Sequence, residues 1–233
     1  MIALYAVNIS AVPSYAAVAA MRTAVSEARQ ARIERYRFDA DKIRCLSAEL
    51  LLRSALAAEY GLSSSQIHIA AGENGKPQLA DSKIRFNLSH SGEWVICAVG
   101  QTEIGADVEE IRETNFRTVA ESFSAAEQAL LEHTAADAQT DLFYRIWTLK
   151  ESYVKYRGTG LLESFSDFTV LPCSAHTAKC TQPADSTAVS FYSLKPDARH
   201  WISLCSAEPL PAENCTPHIV SASALFSAAS YKK

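Results

Sequence analysis

Two groups of charged residues in this chain have types and spacings that could hold a cation or form a functional charge cluster. In the first, Asp107 and Glu109 lie two residues apart in a run rich in β-formers. Side chains alternate along a strand, so both carboxylates project from one face and repel unless a cation or a proton lies between them. Hard oxygen ligands without nearby Cys or His favour Mg²⁺. Two hydrated acids at a strand end are the alternative interpretation of this run.

The second group comprises Lys150, Glu151 and Lys155, in a run whose apolar residues recur at three- and four-residue steps. At about 100° per residue, Lys150 lies near the middle of the apolar stripe. Glu151 and Lys155, four apart, stack along its flank, and Gly158 ends the helix. A lysine in an apolar stripe costs free energy unless its charge meets a partner, a conflict typical of functional sites. An ordinary Glu–Lys surface pair is the alternative.

The composition predicts a globular protein of one large domain or two small ones. The chain has 233 residues, of which 48% are hydrophobic and 21% charged. A net charge of −4 argues against broad nucleic-acid binding, which requires a basic face.

The sequence also indicates a cytoplasmic protein without a membrane segment. Six cysteines without a Cys-x-x-Cys pair are typical of small apolar core residues in a reduced compartment. Residues 2–21 carry no charge, but they lack a basic start and are interrupted by polar residues and Pro13. No segment reaches the roughly 18 apolar residues that span a bilayer.

The chain in order alternates strands and helices. A strand is predicted over residues 2–9, and helices over residues 14–36 and 39–60, the second capped by Gly61. Residues 73–77 predict a turn that projects Lys76.

A hairpin is predicted from two strands, residues 84–92 and 94–99. Ser89, His90 and Ser91 gather at its turn, where polar groups beside a glycine could cradle phosphate. Further along, Ser124 and Glu127 form a capping box at the start of a helix, which by itself accounts for Glu127.

Taken together, these motifs closely resemble the 4′-phosphopantetheinyl transferases, in particular the larger, two-lobed Sfp-type subclass. The resemblance covers about residues 26–168. The motifs that carry it are Gly75-Lys76-Pro77, Phe86-Asn87-Leu88-Ser89-His90-Ser91, Gly105-Ala106-Asp107-Val108-Glu109, Phe123-Ser124-x-x-Glu127 and Trp147-x-x-Lys150-Glu151-x-x-x-Lys155 with Gly158 and Gly160.

The resemblance implies an α+β fold of two similar α/β lobes related by a pseudo-twofold. Each lobe would be a small, mainly antiparallel sheet packed with helices, and a ligand cleft would lie between the lobes. Residues 1–103 would form the coenzyme A-binding lobe, and residues 104–233 the lobe with the acidic residues and the Trp147 helix. Because the chain carries both halves, a monomer is implied.

The implied reaction transfers the 4′-phosphopantetheine arm of coenzyme A to a serine of an apo carrier protein, releasing adenosine 3′,5′-bisphosphate. By resemblance, Asp107, Glu109 and Glu151 are the Mg²⁺ ligands, and Lys155 meets the pyrophosphate. Glu151 is the candidate base, directly or through a metal-bound water, with Glu127 as the alternative. Lys150 is expected to brace the acidic cluster.

The other coenzyme A contacts that the resemblance implies belong to the first lobe. They are Ser89 and His90 at the phosphates, Arg44 and Lys76 at the 3′-phosphate and adenosine end, and Arg29 and Arg32 where the subclass tends to have lysines. A guanidinium binds phosphate in a bidentate way and an ammonium as a point charge, so these two arginines change the contact. Residues 111–123, with Arg112, Phe116 and Arg117, are the predicted carrier-facing segment.

Three alternatives belong to other classes of protein. The first is a catalytically idle homologue that binds coenzyme A or a carrier protein. The second is a Mg²⁺-dependent hydrolase of coenzyme A or nucleotides that needs no protein acceptor. The third is a structural two-lobed domain whose acidic residues face solvent, and it predicts no Mg²⁺-dependent stabilisation by coenzyme A.

Overall fold

A computed structural model of the chain describes residues 2–113, 115–181 and 188–227. The helices are α1 (Glu27–Arg35), α2 (Asp39–Tyr60), α3 (Arg117–Ala120), α4 (Ala125–Glu132), α5 (Ala136–Arg157), α6 (Ala212–Cys215) and α7 (Ala222–Leu225). The strands are β1 (Ala3–Asn8), β2 (Ile69–Ala71), β3 (Pro77–Leu79), β4 (Arg85–Ser91), β5 (Trp94–Gly100), β6 (Ile104–Glu110), β7 (Thr169–Pro172), β8 (Ala178–Thr181), β9 (Ser190–Asp197), β10 (His200–Ser206) and β11 (His218–Ile219).

The chain forms two compact units. Unit 1 comprises the residues up to Gln101 and the described residues after Cys215, and unit 2 comprises Thr102–Cys215. The boundary lies close to the one predicted after residue 103, but the C-terminal segment differs from the prediction. It belongs to unit 1 because β11 pairs in parallel with β1 and Leu225 packs in the core beside α2. Residues 114, 182–187 and 228–233 of the predicted second lobe lie outside the described residues.

Unit 1 is a four-stranded sheet in the order β11–β1–β5–β4, with α2 packed on one face. Every residue of β5, the strand between β1 and β4, is buried. Alternation sends Val95 and Cys97 to the α2 side, where they join Leu46 and Leu50 in one core. Gly61 ends α2 with a φ of +66°, as the sequence predicts.

Residues 14–36 do not form the single helix that their periodicity predicts. Two short 3₁₀ segments, Tyr15–Ala17 and Ala19–Ala24, precede α1. The chain then turns at Ser26, whose hydroxyl caps α1 by accepting a hydrogen bond from the amide of Arg29. The N-cap at Ser26 therefore starts a new helix inside the segment whose apolar periodicity predicts one continuous helix.

Unit 2 is a three-stranded antiparallel sheet in the order β6–β10–β9, with α5 packed against β6 and β10. The β7–β8 hairpin forms a separate ladder. Aromatic side chains from α5 and the neighbouring segments form much of the core, among them Phe123, Phe143 and Phe165. Gly158 ends α5 with a φ of +69°, again as predicted.

The α+β prediction, with small, mainly antiparallel sheets packed with helices, is confirmed. Each unit places a 22-residue helix, α2 or α5, on such a sheet, and each helix ends at a left-handed glycine. The pseudo-twofold and the ligand cleft stay predictions.

Within the described ranges, no helix is both long and apolar enough to cross a bilayer.

The six cysteines are all free thiols, and only Cys173 is exposed. Burial raises the pKa of the Cys180 thiol to about 11, which keeps it protonated at neutral pH.

We therefore expect iodoacetamide at pH 8 to modify Cys173 rapidly in the folded protein and the other five thiols only after unfolding. Mass spectrometry of peptides before and after urea treatment measures this. A second thiol modified as fast as Cys173 in the folded protein would contradict the burial.

Candidate functional site

Strand β6 and helix α5 are in backbone contact at Gly105. A Cβ atom at this position would lie 1.8 Å from the carbonyl oxygen of Ser152 and 2.4 Å from the amide nitrogen of Tyr156. Only glycine fits, which gives the glycine of the Gly105–Glu109 motif a physical reason. This close approach brings the charged side chains of the two elements together.

Asp107, Glu151 and Lys155 form one electrostatic cluster. Asp107 is 2% exposed, and its Oδ1 accepts a hydrogen bond of 2.5 Å from Nζ of Lys155. Burial raises the pKa of the Glu151 carboxyl above its ordinary value; the charge of Asp107 raises it further, whereas the charge of Lys155 lowers it. Two carboxylates therefore share the neighbourhood of one ammonium group.

Glu109 projects from the same face of β6 as Asp107, and it is half-buried. It lines a cavity of about 230 Å³ together with apolar and aromatic side chains: Phe116, Val119, Phe143, Tyr144 and Trp147. Across the described parts of the chain, no three carboxylate, imidazole or thiol side chains converge to hold a metal ion. The structure thus brings Asp107 to Glu151 and Lys155, but it does not draw Glu109 into a three-ligand set.

Glu127 and Lys150 meet each other away from this cluster. Both side chains are fully buried, and Nζ of Lys150 donates to both carboxylate oxygens of Glu127 at 2.8 Å. The capping box of Ser124 and Glu127 is confirmed. Lys150 therefore finds the partner that its apolar surroundings require, but it braces Glu127 and not the acidic cluster as expected. Because Glu127 is enclosed, it is badly placed to accept a proton from a partner's serine.

In unit 1, the β4–β5 hairpin and the start of α2 meet at the hairpin turn. Arg44 donates to the carbonyl of Gly92 at 2.9 Å and pairs with Asp41 at 2.7 Å. Alternation along β4 places His90 on the α2 side, as it does Phe86 and Leu88, which join the α2 core. Ser89 lies on the opposite face. Arg44 and His90 therefore share one side of the hairpin, and Ser89 does not.

The two arginines of α1 differ in their surroundings. Nε of Arg29 lies 3.4 Å from a carboxylate oxygen of the buried Glu49, and its guanidinium also contacts Cys45. Nε of Arg32 donates to the hydroxyl of Tyr36 at 3.3 Å. Arg29 is thus held by a carboxylate inside unit 1, whereas Arg32 pairs with a neutral group.

Lys76 lies where the sequence predicts, in a tight turn between β2 and β3. Its carbonyl accepts a hydrogen bond from the amide of Gly72 at 2.8 Å. Asn74 and Gly75 have φ angles of +52° and +78°, the left-handed conformation that Asn and Gly adopt most readily. The turn presents Lys76 half-buried at the edge of unit 1.

Comparison with known proteins identifies the family. Residues 10–102 match the 4′-phosphopantetheinyl transferase N-terminal family, and residues 103–205 match the 4′-phosphopantetheinyl transferase superfamily. The 4′-phosphopantetheinyl transferase Sfp of Bacillus subtilis is 31% identical over 193 residues, covering 82% of this chain and 86% of the relative. The chain belongs to the Sfp-type 4′-phosphopantetheinyl transferases. The 4′-phosphopantetheinyl transferase psf-1 of Bacillus pumilus is 34% identical over 200 residues, 82% of each chain.

A solved structure is similar over a shorter part of this transferase chain. It is the holo-(acyl-carrier-protein) synthase from Bacillus anthracis in complex with CoA (3′,5′-ADP). The TM-score is 0.40 at 18% sequence identity, and the match covers 45% of this chain and 93% of that chain.

The donors on β6 and α5 have the chemistry that a Mg²⁺ ion requires of its protein ligands. Asp107 and Glu151 are oxygen donors whose mutual repulsion a cation would relieve. Mg²⁺ is usually bound by one or two carboxylates together with substrate phosphates, so a site of two protein carboxylates is sufficient. The donor set therefore fits the ion.

Glu49 and Arg53 of α2 form a buried charged pair that the sequence analysis did not single out. Glu49 is buried, and it accepts hydrogen bonds from Arg53, from Arg29 and from both the amide and the hydroxyl of Ser26. It therefore anchors the start of α1, which carries Arg29 and Arg32. The sequence contains an indication of this pair, because two opposite charges four residues apart flank the apolar run of residues 50–52.

Proposed function

We propose that this chain transfers the 4′-phosphopantetheine arm of coenzyme A to a serine hydroxyl of an apo carrier protein. The observation that carries this proposal is the cluster of Asp107, Glu151 and Lys155, in a chain 31% identical to Sfp of Bacillus subtilis. The serine oxygen forms a bond to the phosphorus that bears the arm, and the bond from that phosphorus to the bridging oxygen breaks. Adenosine 3′,5′-bisphosphate leaves, and the serine loses its proton.

Catalysis of such a transfer consists mainly of positioning and of neutralising charge on phosphate oxygens. Lys155 supplies an ammonium group that is already directed at the acidic cluster, 2.5 Å from Asp107. In this proposal the ammonium stabilises the pyrophosphate and the leaving bisphosphate. Its side chain is 28% exposed, so it is open to a ligand.

Glu151 is the candidate base. It is the carboxylate that shares the cluster with Asp107 and Lys155, so the proton of the carrier's serine can reach it directly or through a bridging water. Glu127, the alternative base, is fully buried and bonded to Lys150, so we assign the proton to Glu151.

Asp107 and Glu151 would hold Mg²⁺, and Glu109, on the same strand face, would have to move towards them to become the third ligand that the sequence predicts. When bound, the ion supplies Lewis-acid stabilisation of negative charge on the pyrophosphate oxygens. Two observations support this site: Asp107 is buried at the β6–α5 contact, and Glu151 lies on α5, the helix that contacts Gly105.

Coenzyme A would be held by basic side chains of unit 1. Arg44 and His90 share one side of the β4–β5 hairpin, and we propose that they bind the phosphates of the nucleotide end. Lys76 on its turn would contact the adenosine end. Arg32 is the better phosphate candidate of the two α1 arginines, because Glu49 already engages Arg29. Ser89, on the other face of β4, would act separately from His90.

The carrier protein is the second substrate, and residues 111–123, apart from residue 114, are the proposed contact segment. Phe116 of this segment lines the same cavity as Glu109, which supports a docking position beside the acidic strand. Arg112 pairs with Glu110, Arg117 contacts Gln139, and both arginine residues are exposed. A cytoplasmic location and a monomeric state stay predictions.

Intact-mass spectrometry tests the proposal. We expect an apo carrier protein mixed with this chain, coenzyme A and Mg²⁺ to gain the mass of one phosphopantetheine, and to gain none when EDTA is present. No gain across peptidyl, acyl and aryl carriers, despite coenzyme A binding, would instead support the catalytically idle homologue. Release of adenosine 3′,5′-bisphosphate without any carrier would support a hydrolase.

A further inference from the structure

The buried pair of Lys150 and Glu127 is the strongest structural feature that the proposed mechanism does not use. Nζ of Lys150 donates at 2.8 Å to each carboxylate oxygen of Glu127 and at 2.7 Å to the carbonyl of Phe168. An ammonium group has three N–H donors, and all three are used. The ring of Phe168 covers the group at 4.1 Å from its centroid.

Glu127 is bonded as fully as its partner. Besides Lys150, its Oε1 accepts a hydrogen bond of 2.6 Å from the amide of Val170, and its Oε2 accepts one of 2.9 Å from the amide of Ser124. With the two bonds from Lys150, these occupy the roughly four acceptor positions of a carboxylate. The pair therefore joins three segments, namely the start of α4, the middle of α5 and the start of β7.

Net stability alone gives a weak reason for such a pair. The cost of removing two charges from water largely offsets their attraction in the protein interior. Apolar residues of similar volume would fill the same space among the rings of Phe123, Phe165 and Phe168. Apolar residues would not fix the orientation of α5 relative to α4 and β7, whereas a fully satisfied hydrogen-bond network does.

The direction matters because of how α5 meets β6. The backbone contact at Gly105 fixes the distance between α5 and β6 at one residue of the strand. Contact at one residue does not by itself fix the rotation of the helix about its own axis. Side-chain ends lie about 5 Å from a helix axis, so a turn of about 15° would move them by more than about 1 Å. Glu151 follows Lys150 directly, so its position towards Asp107 depends on that turn.

We propose that the Lys150–Glu127 pair is a positioning element that sets the rotation of α5 and thereby places Glu151 against Asp107. This inference rests on the proposed function, since its effect is on the binding of the divalent cation and on the transfer step. The pair touches neither substrate, and it acts through Glu151.

The test replaces both charges together, because removal of one alone would leave the other buried without its partner. In K150M/E127Q, the new side-chain amide at position 127 keeps an oxygen for the amide of Val170. In K150Q/E127Q, the two new amides can bond to each other, which provides a second variant that folds more readily. The matched control is Ile146→Ala, which removes packing from a fully buried residue one turn earlier on α5 and leaves the pair intact.

Three measurements are made on each full-length variant: thermal unfolding, Mn²⁺ binding by electron paramagnetic resonance in the presence of coenzyme A, and kcat and KM for transfer. We expect the double variants to bind Mn²⁺ about tenfold more weakly or worse and to lose kcat by a similar factor, as when groups that orient metal ligands are removed. The KM for coenzyme A should change little. The control, at an equal or larger loss of thermal stability, should bind Mn²⁺ as the natural protein does.

The proposal is overturned if a double variant binds Mn²⁺ and turns over as the Ile146→Ala protein does. It is equally overturned if neither double variant folds where the control does, because the pair would then serve folding and not position. If the natural chain did not bind Mn²⁺ at all, the metal site of the proposed function would be wrong. This result is distinct from a failure of the positioning proposal, in which the natural chain binds Mn²⁺ and the double variants bind it equally well.

Discussion

Gly105→Ala is expected to destabilise unit 2 by about 3 kcal/mol or more, at the upper end of overpacking effects. The added carbon would lie 1.8 Å from the carbonyl oxygen of Ser152 and 2.4 Å from the amide nitrogen of Tyr156. Both atoms belong to the backbone of α5, so no side chain can turn aside and the helix must move away from β6. Because Asp107 is on β6 and Lys155 on α5, the same movement breaks their contact, and transfer activity falls with stability.

Urea unfolding and the carrier-mass assay measure these two losses. Gly61→Ala is the matched control, since nothing lies within 4 Å of the added carbon and only the φ of +66° is unfavourable. A cost of about 1 kcal/mol is expected there, with transfer activity unchanged. If Gly105→Ala were no more destabilising than Gly61→Ala, the direct contact of α5 with β6 would be wrong.

Asp107→Asn is expected to lower transfer by about 10²–10³-fold, the loss seen when one preorganised hydrogen-bond donor of an oxyanion hole is removed. The change keeps the shape of the side chain, but it removes the negative charge that pairs with Lys155 at 2.5 Å. The pKa of Glu151 is raised by burial and further by the charge of Asp107, so the change removes this electrostatic coupling together with one of the proposed metal ligands. Stability should change little compared with activity.

Steady-state transfer to an apo carrier, together with Mn²⁺ binding, measures this effect. Asp141→Asn is the control, because Asp141 accepts a hydrogen bond from the indole of Trp201 and pairs with Lys195 at the surface of the same unit. It should retain full turnover. Near-normal transfer by the Asp107→Asn protein would remove Asp107 from the site.

Local rules accounted for the parts of the fold that depend on near neighbours in sequence. The end of α2 at Gly61, the end of α5 at Gly158, and the capping box of Ser124 and Glu127 were all predicted. In each case a single residue or a short spacing decides the backbone conformation. The helix predicted over residues 14–36 was wrong because a second local signal, the N-cap at Ser26, competes with the periodicity.

The apolar periodicity of the sequence predicted on which face of its helix or strand each charged residue lies, but it did not predict which residue it pairs with. It placed Lys150 inside the apolar stripe of α5, which predicts that its charge is paired, and it left the partner open. The structure supplies Glu127, 23 residues earlier, through the packing of α4 against α5. Lys150 does not make the direct contact with the acidic cluster that its expected bracing role would suggest, because Lys150 and Glu151 point in directions about 100° apart on the helix.

The sequence by itself therefore determined the family resemblance, the elements that carry the acidic and basic residues, and the side of each element on which those residues lie. These follow from spacings of two to four residues, which fix local geometry. Only the tertiary structure decided that Lys155 meets Asp107 across 48 residues, that Glu49 holds Arg29, and that the C-terminal segment joins unit 1 through β11. Such pairings depend on which surfaces pack together, and a backbone contact such as that at Gly105, which no periodicity records, is what brings the surfaces of β6 and α5 together.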